Sequence, residues 1–407
     1  MPPSGPTLAF VESPVQLLNV LEWAHAESAG PRGPRLDGVP RQARRAVAQD
    51  AVADPAAGPA SDPDPDAGAD GAGPDLDHRR AGAAEWLRIV VLPPTDPMSR
   101  GQLRRIAAIA RDEGCAVQWQ EARGGSGAPL RALAALAGDV RKAGRIVVGD
   151  PFSRFVQLLL FPARAAELVV VDDGTATMEF MAQLGRGERL RRWHRTGGGA
   201  LSRVRELVYA PVSGRARRQL TPGEGRSVEV FTSMPVVPLP GMTLRVNDFA
   251  WTRARFGPPR LTKGTDLVGT SLVETGVVDP ARYLDAVRAL TVEHGATRYF
   301  AHRRESPEKL RALSEATGLE IVRPDLPLEL IARRGPVGRT IVSFPSTVVH
   351  TLPYALAGTG VTVAVCDIDP DWLTGSASPR ARSFLAGVTD TARDVHRLAA
   401  QAAPAAG

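Results

Sequence analysis

Asp172, Asp173 and Gly174 follow directly on the apolar run Leu168–Val171. A short β-branched run reads as a buried strand, and the ends of such strands are where α/β sheets present their chemistry. A carboxylate there can serve as a general base toward a hydroxyl, an effect on the order of 10²–10⁴ in rate. Two adjacent acids do not share one role: if one takes a proton, its neighbour orients. Alternation along a strand sends them to opposite faces, so one should face a cleft and the other a helix cap. The sequence does not say which. Gly174 permits the sharp turn that exposes the pair. A helix N-cap by Asp173 fits the same spacing.

Two further strand ends carry polar groups. His302 closes the run Arg298–Ala301 and precedes Arg303, Arg304 and Glu305. Arginine offers two-pronged hydrogen bonds to phosphate, and histidine can donate a hydrogen bond or a proton. A solvated charged turn is the alternative. Ser346 and Thr347 follow the apolar stretch TIVSF and open a helix. Free backbone N–H groups, the helix dipole and two hydroxyls suit a phosphate there, although a plain N-cap has the same residues. No G-x-G-x-x-G follows the first strand, and there is no Walker loop and no G-x-S-x-G elbow. The seven histidines form no metal-ligand spacing.

These segments need a scaffold, and the chain alternates strand and helix signals. Thr7–Val11 is a strand; Ser13 caps a helix with Pro14 at its first position and Gln16 as capping-box partner. Strands at 88–92, 115–119, 145–148 and 168–171 follow, separated by helices at 99–112, 130–142 and 153–161. Residues 228–232 look like the last strand of this half. A second alternation has strands at 266–269, 298–301, 319–322, 340–344 and 361–366, with helices between them and a terminal helix over 380–400. Strands alternating with helices mean parallel βαβ units. The expectation is an α/β fold with two Rossmann-like domains facing a central cleft. Residues 1–240 form the first domain, 241–260 a linker, 261–390 the second domain and 391–407 a tail. Within the first domain, 28–85 is Ala, Pro, Gly, Asp and Arg with almost no large apolar side chain, which reads as a disordered insertion.

Bulk properties narrow the partners. The 407 residues are 43% hydrophobic, enough for two cores, and the formal charge of +6 suits an anionic ligand or surface. No nucleic-acid recognition pattern appears. Residues 185–226 are irregular and basic (RGERLRRWHR, then RARR), a candidate for peripheral contact with an acidic acceptor or membrane surface. Cys115 and Cys366 lie in apolar runs with no CxxC partner, as buried thiols of a reducing compartment do. With no signal peptide and no span-length apolar stretch, the expected location is cytoplasmic, with peripheral contact at the inner membrane face allowed.

Taken together and in order, these segments resemble the bacterial sialyltransferases of the GT-B type, nearest to the lipooligosaccharide sialyltransferases and polysialyltransferase-like proteins. VESPVQLLNVLEW resembles that family's first strand and helix. GDPFSR followed by VVVDDGTATM resembles its D/E-D/E-G stretch, YFAHRRE its HP segment and SFPSTVVHTL its Ser-Ser/Thr segment. The likeness spans nearly the whole chain outside the insertion and the basic loop. It implies metal-independent, inverting transfer from CMP-sialic acid to a glycan or glycolipid hydroxyl, with no cofactor. It implies Asp172 or Asp173 as base, and His302, Ser346 and Thr347 on the CMP phosphate. Glu329, in PLPLELIARR, matches a position near the nucleotide. Arg303 departs from the motif's proline, which leaves open a different nucleotide sugar. A non-catalytic nucleotide- or glycan-binding homologue is a separate alternative, against which the intact Asp172, Asp173, His302, Ser346 and Thr347 argue.

Overall fold

The computed structural model describes residues 5–30, 86–125, 127–192 and 200–400. Most of the predicted insertion (31–85) and part of the basic segment (193–199) lie outside the described residues. Among those described, the first sheet holds β1 (Thr7–Val11), β2 (Leu87–Val91), β3 (Ala116–Trp119), β4 (Arg145–Val148), β5 (Glu167–Val171), β6 (Ser227–Thr232) and β7 (Met242–Val246). The second holds β8 (Leu261–Val268), β9 (Ala296–Phe300), β10 (Glu320–Val322), β11 (Val337–Ser343), β12 (Thr362–Cys366) and β13 (His396–Leu398). The orders are β3-β2-β1-β4-β5-β6-β7 and β10-β9-β8-β11-β12-β13, with every neighbouring pair parallel. Both are doubly wound: strand order reverses between β1 and β4, and again between β8 and β11. These are two Rossmann-like domains, as the alternation led us to expect.

The central strands β1, β4 and β5 of the first sheet are apolar on both faces, which is why they read as unbroken apolar runs. Leu8 and Phe10 join one core with Val90, Ile146, Val148 and Val170. Ala9 and Val11 face the other way, into a core with Leu17, Leu18, Trp23 and Ile106. This second core does not stop at the domain edge. Leu326, Leu330 and Ala355 of the second half are buried in it beside Phe249 and Trp251.

Several boundaries differ from expectation. Residues 241–260 hold β7 and a helix (Ala250–Phe256), so this stretch completes the first sheet before the chain crosses over. Glu22 anchors it: its buried carboxylate accepts from the backbone N–H groups of Trp251 and Thr252 and from the Thr252 hydroxyl. The basic segment contains a helix, Ala200–Gln219, and is not irregular throughout. The terminal helix ends at Thr391, and the chain then adds β13 to the second sheet. The helix expected from Ser99 begins at Pro97, because Asp96 takes the cap and accepts from the Ser99 N–H. No helix among the described residues is long and apolar enough to cross a membrane.

Candidate active site

The carboxyl ends of β5, β9 and β11 carry the three predicted polar segments. Parallel sheets put free backbone N–H groups and helix starts at this edge, and two such sheets facing one another make a cleft.

At the end of β5 the two aspartates part company. Asp172 is 2% exposed and turned inward. Its Oδ1 accepts from the Gly174 N–H (2.7 Å) and the Thr177 hydroxyl (3.0 Å); its Oδ2 accepts from the N–H and hydroxyl of Ser233 (3.3 and 3.2 Å). Four donors hold it as a structural brace between β5 and β6, and burial still pushes its carboxyl up. Its own carbonyl accepts from Asn19, which accepts in turn from Asn247 beyond β7. Asp173 points the other way. Burial pushes its carboxyl up to about 7, the Asp150 charge adds to the push, and Arg192 and a hydrogen bond from Gln16 oppose it. Asp172 thus fixes the loop, while Asp173 lies 3.6 Å from the Arg192 guanidinium. Asp173 is not the N-cap: the helix Thr175–Gly185 starts after Gly174, with no side-chain cap.

Gly174 has φ +64°, and a Cβ there would lie 2.9 Å from Thr347 Cγ2. Only glycine allows the β5 turn to touch the Ser346–Thr347 segment of the second domain. Thr347 begins the helix Val348–Ala355, and the Ser346 hydroxyl pairs with Ser343 at 3.2 Å. The β5 and β11 ends are thus in direct contact across the cleft.

His302 leaves β9 in a tight turn. Its backbone N–H donates to Glu305 Oε2 (2.6 Å), and its ring Nδ1 accepts from the Arg304 N–H (3.2 Å). That acceptor places the ring proton on Nε2, which is left as a donor. Burial, then the Arg303, Arg304 and Lys309 charges, lowers the imidazole to about 4. Near neutrality His302 is a neutral hydrogen-bond donor rather than an acid. Glu305 is 3% exposed and braces the turn: it accepts from Tyr299, which pairs with Tyr283, and it meets Lys309 Nζ at 2.7 Å. Burial, then the Arg304 charge, lowers the Arg303 guanidinium, and the Asp173 and Asp96 charges of the first domain oppose this.

Glu329 is not presented to the cleft. It is 5% exposed, accepts from the Thr351 hydroxyl at 2.6 Å, and is pushed up by burial. Its place is between two helices of the second domain, where the Asp172 charge also reaches it.

Other residues join the site that sequence spacing did not nominate. Asp150 follows β4, is 3% exposed, and pairs with Arg192 at 2.6 Å; the same guanidinium lies 3.6 Å from Asp173. Glu12 follows β1, accepts from the Ser153 hydroxyl (2.7 Å) and pairs with Arg123 (2.7 Å). Gln16 accepts from the Glu12 N–H (2.7 Å), and a Cβ on Gly149 would lie 2.6 Å from its Oε1. Glu12 and Asp150 flank the strand-order reversal, so the strand-end rule applied to every strand would have found them. They line a cavity of about 660 Å³ that Arg304 of the second domain also borders. Among the described residues, no group of three or more His, Cys, Asp or Glu is placed to hold a metal ion.

No family model matches the sequence, and no curated protein is similar to it. Solved structures are similar at low identity. An alpha/beta-galactoside alpha-2,3-sialyltransferase from Photobacterium phosphoreum has a TM-score of 0.46 at 8% identity, over 97% of this chain and 99% of that one. A sialyltransferase from Photobacterium damsela has 0.42 at 8%, over 97% and 81%. A chain described as a UDP-N-acetylglucosamine 2-epimerase from Listeria monocytogenes has 0.40 at 9%, over 89% and 79%.

Proposed function

We propose that the protein is a GT-B glycosyltransferase of sialyltransferase type. It moves a sugar from CMP-sialic acid to a hydroxyl of a glycan or glycolipid, with inversion. The observation that carries this reading is Asp173. Its carboxyl is pushed up to about 7 and stands at the β5 end that Gly174 presses against Thr347, with the Arg303 guanidinium acting on it from the other domain.

In this mechanism the acceptor hydroxyl oxygen attacks the anomeric carbon of the donor. Its proton passes to the Asp173 carboxylate while the bond from carbon to phosphate oxygen breaks. CMP departs with the bonding pair, so negative charge builds on its phosphate. His302 Nε2–H, the Arg303 guanidinium, the Ser346 and Thr347 hydroxyls and the start of the helix Val348–Ala355 are the donors that meet this charge. Donors already fixed in place stabilise such a transition state without reorganising. Asp172, Asn19 and Glu305 do not touch substrate; they hold the two turns in register.

The test is thermal stabilisation of the full chain by CMP, compared with UDP and GDP. The expected result is a larger shift with CMP, reduced in His302→Ala. Equal shifts for the three nucleotides overturn the donor assignment. A transferase for another nucleotide sugar is the second reading, favoured by Arg303 in the cleft where the resembled motif has proline; a shift largest with UDP or GDP selects it.

A further inference from the structure

The cavity beside Asp173 has a composition the transfer step does not use. It opens at the reversal of strand order between β1 and β4, where open α/β sheets bind ligands. Its volume of about 660 Å³ lies within the roughly 300–1,000 Å³ typical of small-molecule sites. Six arginines line it against two carboxylates, Glu12 and Asp150. Those carboxylates are already taken by Arg123 and Arg192. Among the described residues, no carboxylate pairs with Arg154, Arg189 or Arg304. Arg154 lies over the Tyr209 ring at 5.1 Å, so its guanidinium is oriented by an aromatic face instead of by an acid. Guanidinium groups converging on one cavity without carboxylates to neutralise them suit an oxyanion, which they bind in two-pronged fashion. Tyr209 and Phe155 supply apolar wall for a sugar ring.

We infer that this cavity binds the acceptor, and that the acceptor is an acidic sugar whose carboxylate or phosphate ester is held by Arg154, Arg189 and Arg304. The inference rests on the transferase reading above, since it makes the cavity the acceptor half of that site. Its geometry is suited to the task. Arg192 lines the cavity and lies 3.6 Å from Asp173. Arg192 thus joins the cavity wall to Asp173, which the proposed function makes the base toward the acceptor hydroxyl. Arg304 comes from the turn that carries His302, so acceptor and donor sites share one loop.

The experiment is calorimetric binding of three probes to the full chain without donor: methyl galactoside, methyl galactoside 6-phosphate and methyl glucuronide. Both acidic probes are expected to bind at least about tenfold more tightly than the neutral one. The larger gain identifies the acid: phosphate if the 6-phosphate leads, carboxylate if the glucuronide leads. Arg154→Gln with Arg189→Gln should bring the three affinities together, and Arg154→Lys with Arg189→Lys should restore part of the preference. Both pairs are compared with the parent at unchanged melting temperature; should the glutamine pair melt lower, exposed Arg189→Gln alone is read and should halve the preference or more. Equal binding of the three probes by the parent, no loss of preference in the variants, or competitive displacement of the acidic probes by CMP each overturns the inference. The nucleotide test is independent of this one. Loss of the CMP preference with acidic-sugar binding intact sinks the donor assignment only, and the reverse sinks only the acceptor site.

Discussion

Asp173→Asn is the perturbation with the sharpest expected outcome, because it should improve stability while sharply slowing transfer. The parent carboxyl is pushed from 3.8 to about 7, by burial first and by Asp150 second. Each pKa unit corresponds to about 1.36 kcal/mol between folded and unfolded chains, so keeping Asp173 ionised in the fold costs roughly 4 kcal/mol at most. Partial solvent access reduces this to about 1–4 kcal/mol. The sign follows from the direction of the shift. Below about pH 4 the group is protonated in both states and costs nothing. As pH rises toward 7 the unfolded chain releases the proton and the fold retains it, so stability is lost across this window and the loss then levels off. Asparagine has no such term and keeps the shape of the side chain. The stability difference between Asp173→Asn and parent should therefore be small near pH 4.5 and grow to its plateau near pH 8. Thermal or denaturant unfolding at the two pH values reads it. Transfer in the variant should fall by about 10²–10⁴. An equal stability offset at both pH values, or retained activity, refutes the assignment of a strained, ionisable base to this position.

Other outcomes follow from the same geometry. In the parent, kcat/KM should rise with pH through about 7, since the base must be deprotonated and the largest shift at the site is upward; a rate profile flat from pH 5 to 8 contradicts it. His302→Ala should lower transfer by roughly 10²–10³, whereas His302→Gln, which keeps an N–H donor, should retain much more of it. Equal losses in the two variants would mean that the imidazole works as an acid. Gly174→Ala should destabilise by about 1–3 kcal/mol and raise the KM for donor, because φ +64° and the 2.9 Å approach to Thr347 both exclude a methyl group; urea unfolding and donor titration measure the two effects. Cys115 is 7% exposed, and burial pushes its thiol up to about 12, so alkylation of the native protein near pH 8 should be slow and should become fast in denaturant.

Much of the architecture was legible in the chain because strands buried on both faces cannot be written in any other alphabet. TLAFV, RIVV and ELVVV announce a parallel sheet, and the polar residue after each marks its carboxyl edge. Elements were missed where that physics weakens. β7 is an edge strand with only alternate residues buried, set among prolines and turn residues that resemble a linker. β13 has three residues, two of them exposed, and exists because β12 offers a free edge for pairing. An Ala- and Arg-rich terminus has no local pattern that could announce it.

The sequence by itself determined which side chains stand at the strand ends: Asp172, Asp173, His302, Arg303, Ser346 and Thr347 are all within a few residues of an apolar run. Tertiary structure alone decided what each does there. Asp172 is withdrawn because Ser233, at the end of a strand 61 residues away in sequence, supplies two of its four donors. The Asp173 carboxyl is pushed up by burial and by Asp150, with Arg192 opposing, and these groups come from other elements. Glu329 is enclosed because Thr351 on the next helix reaches its carboxylate. Local sequence fixes where a side chain leaves the backbone. Its protonation and its exposure depend on groups that only the packing of distant strands brings within a few ångströms.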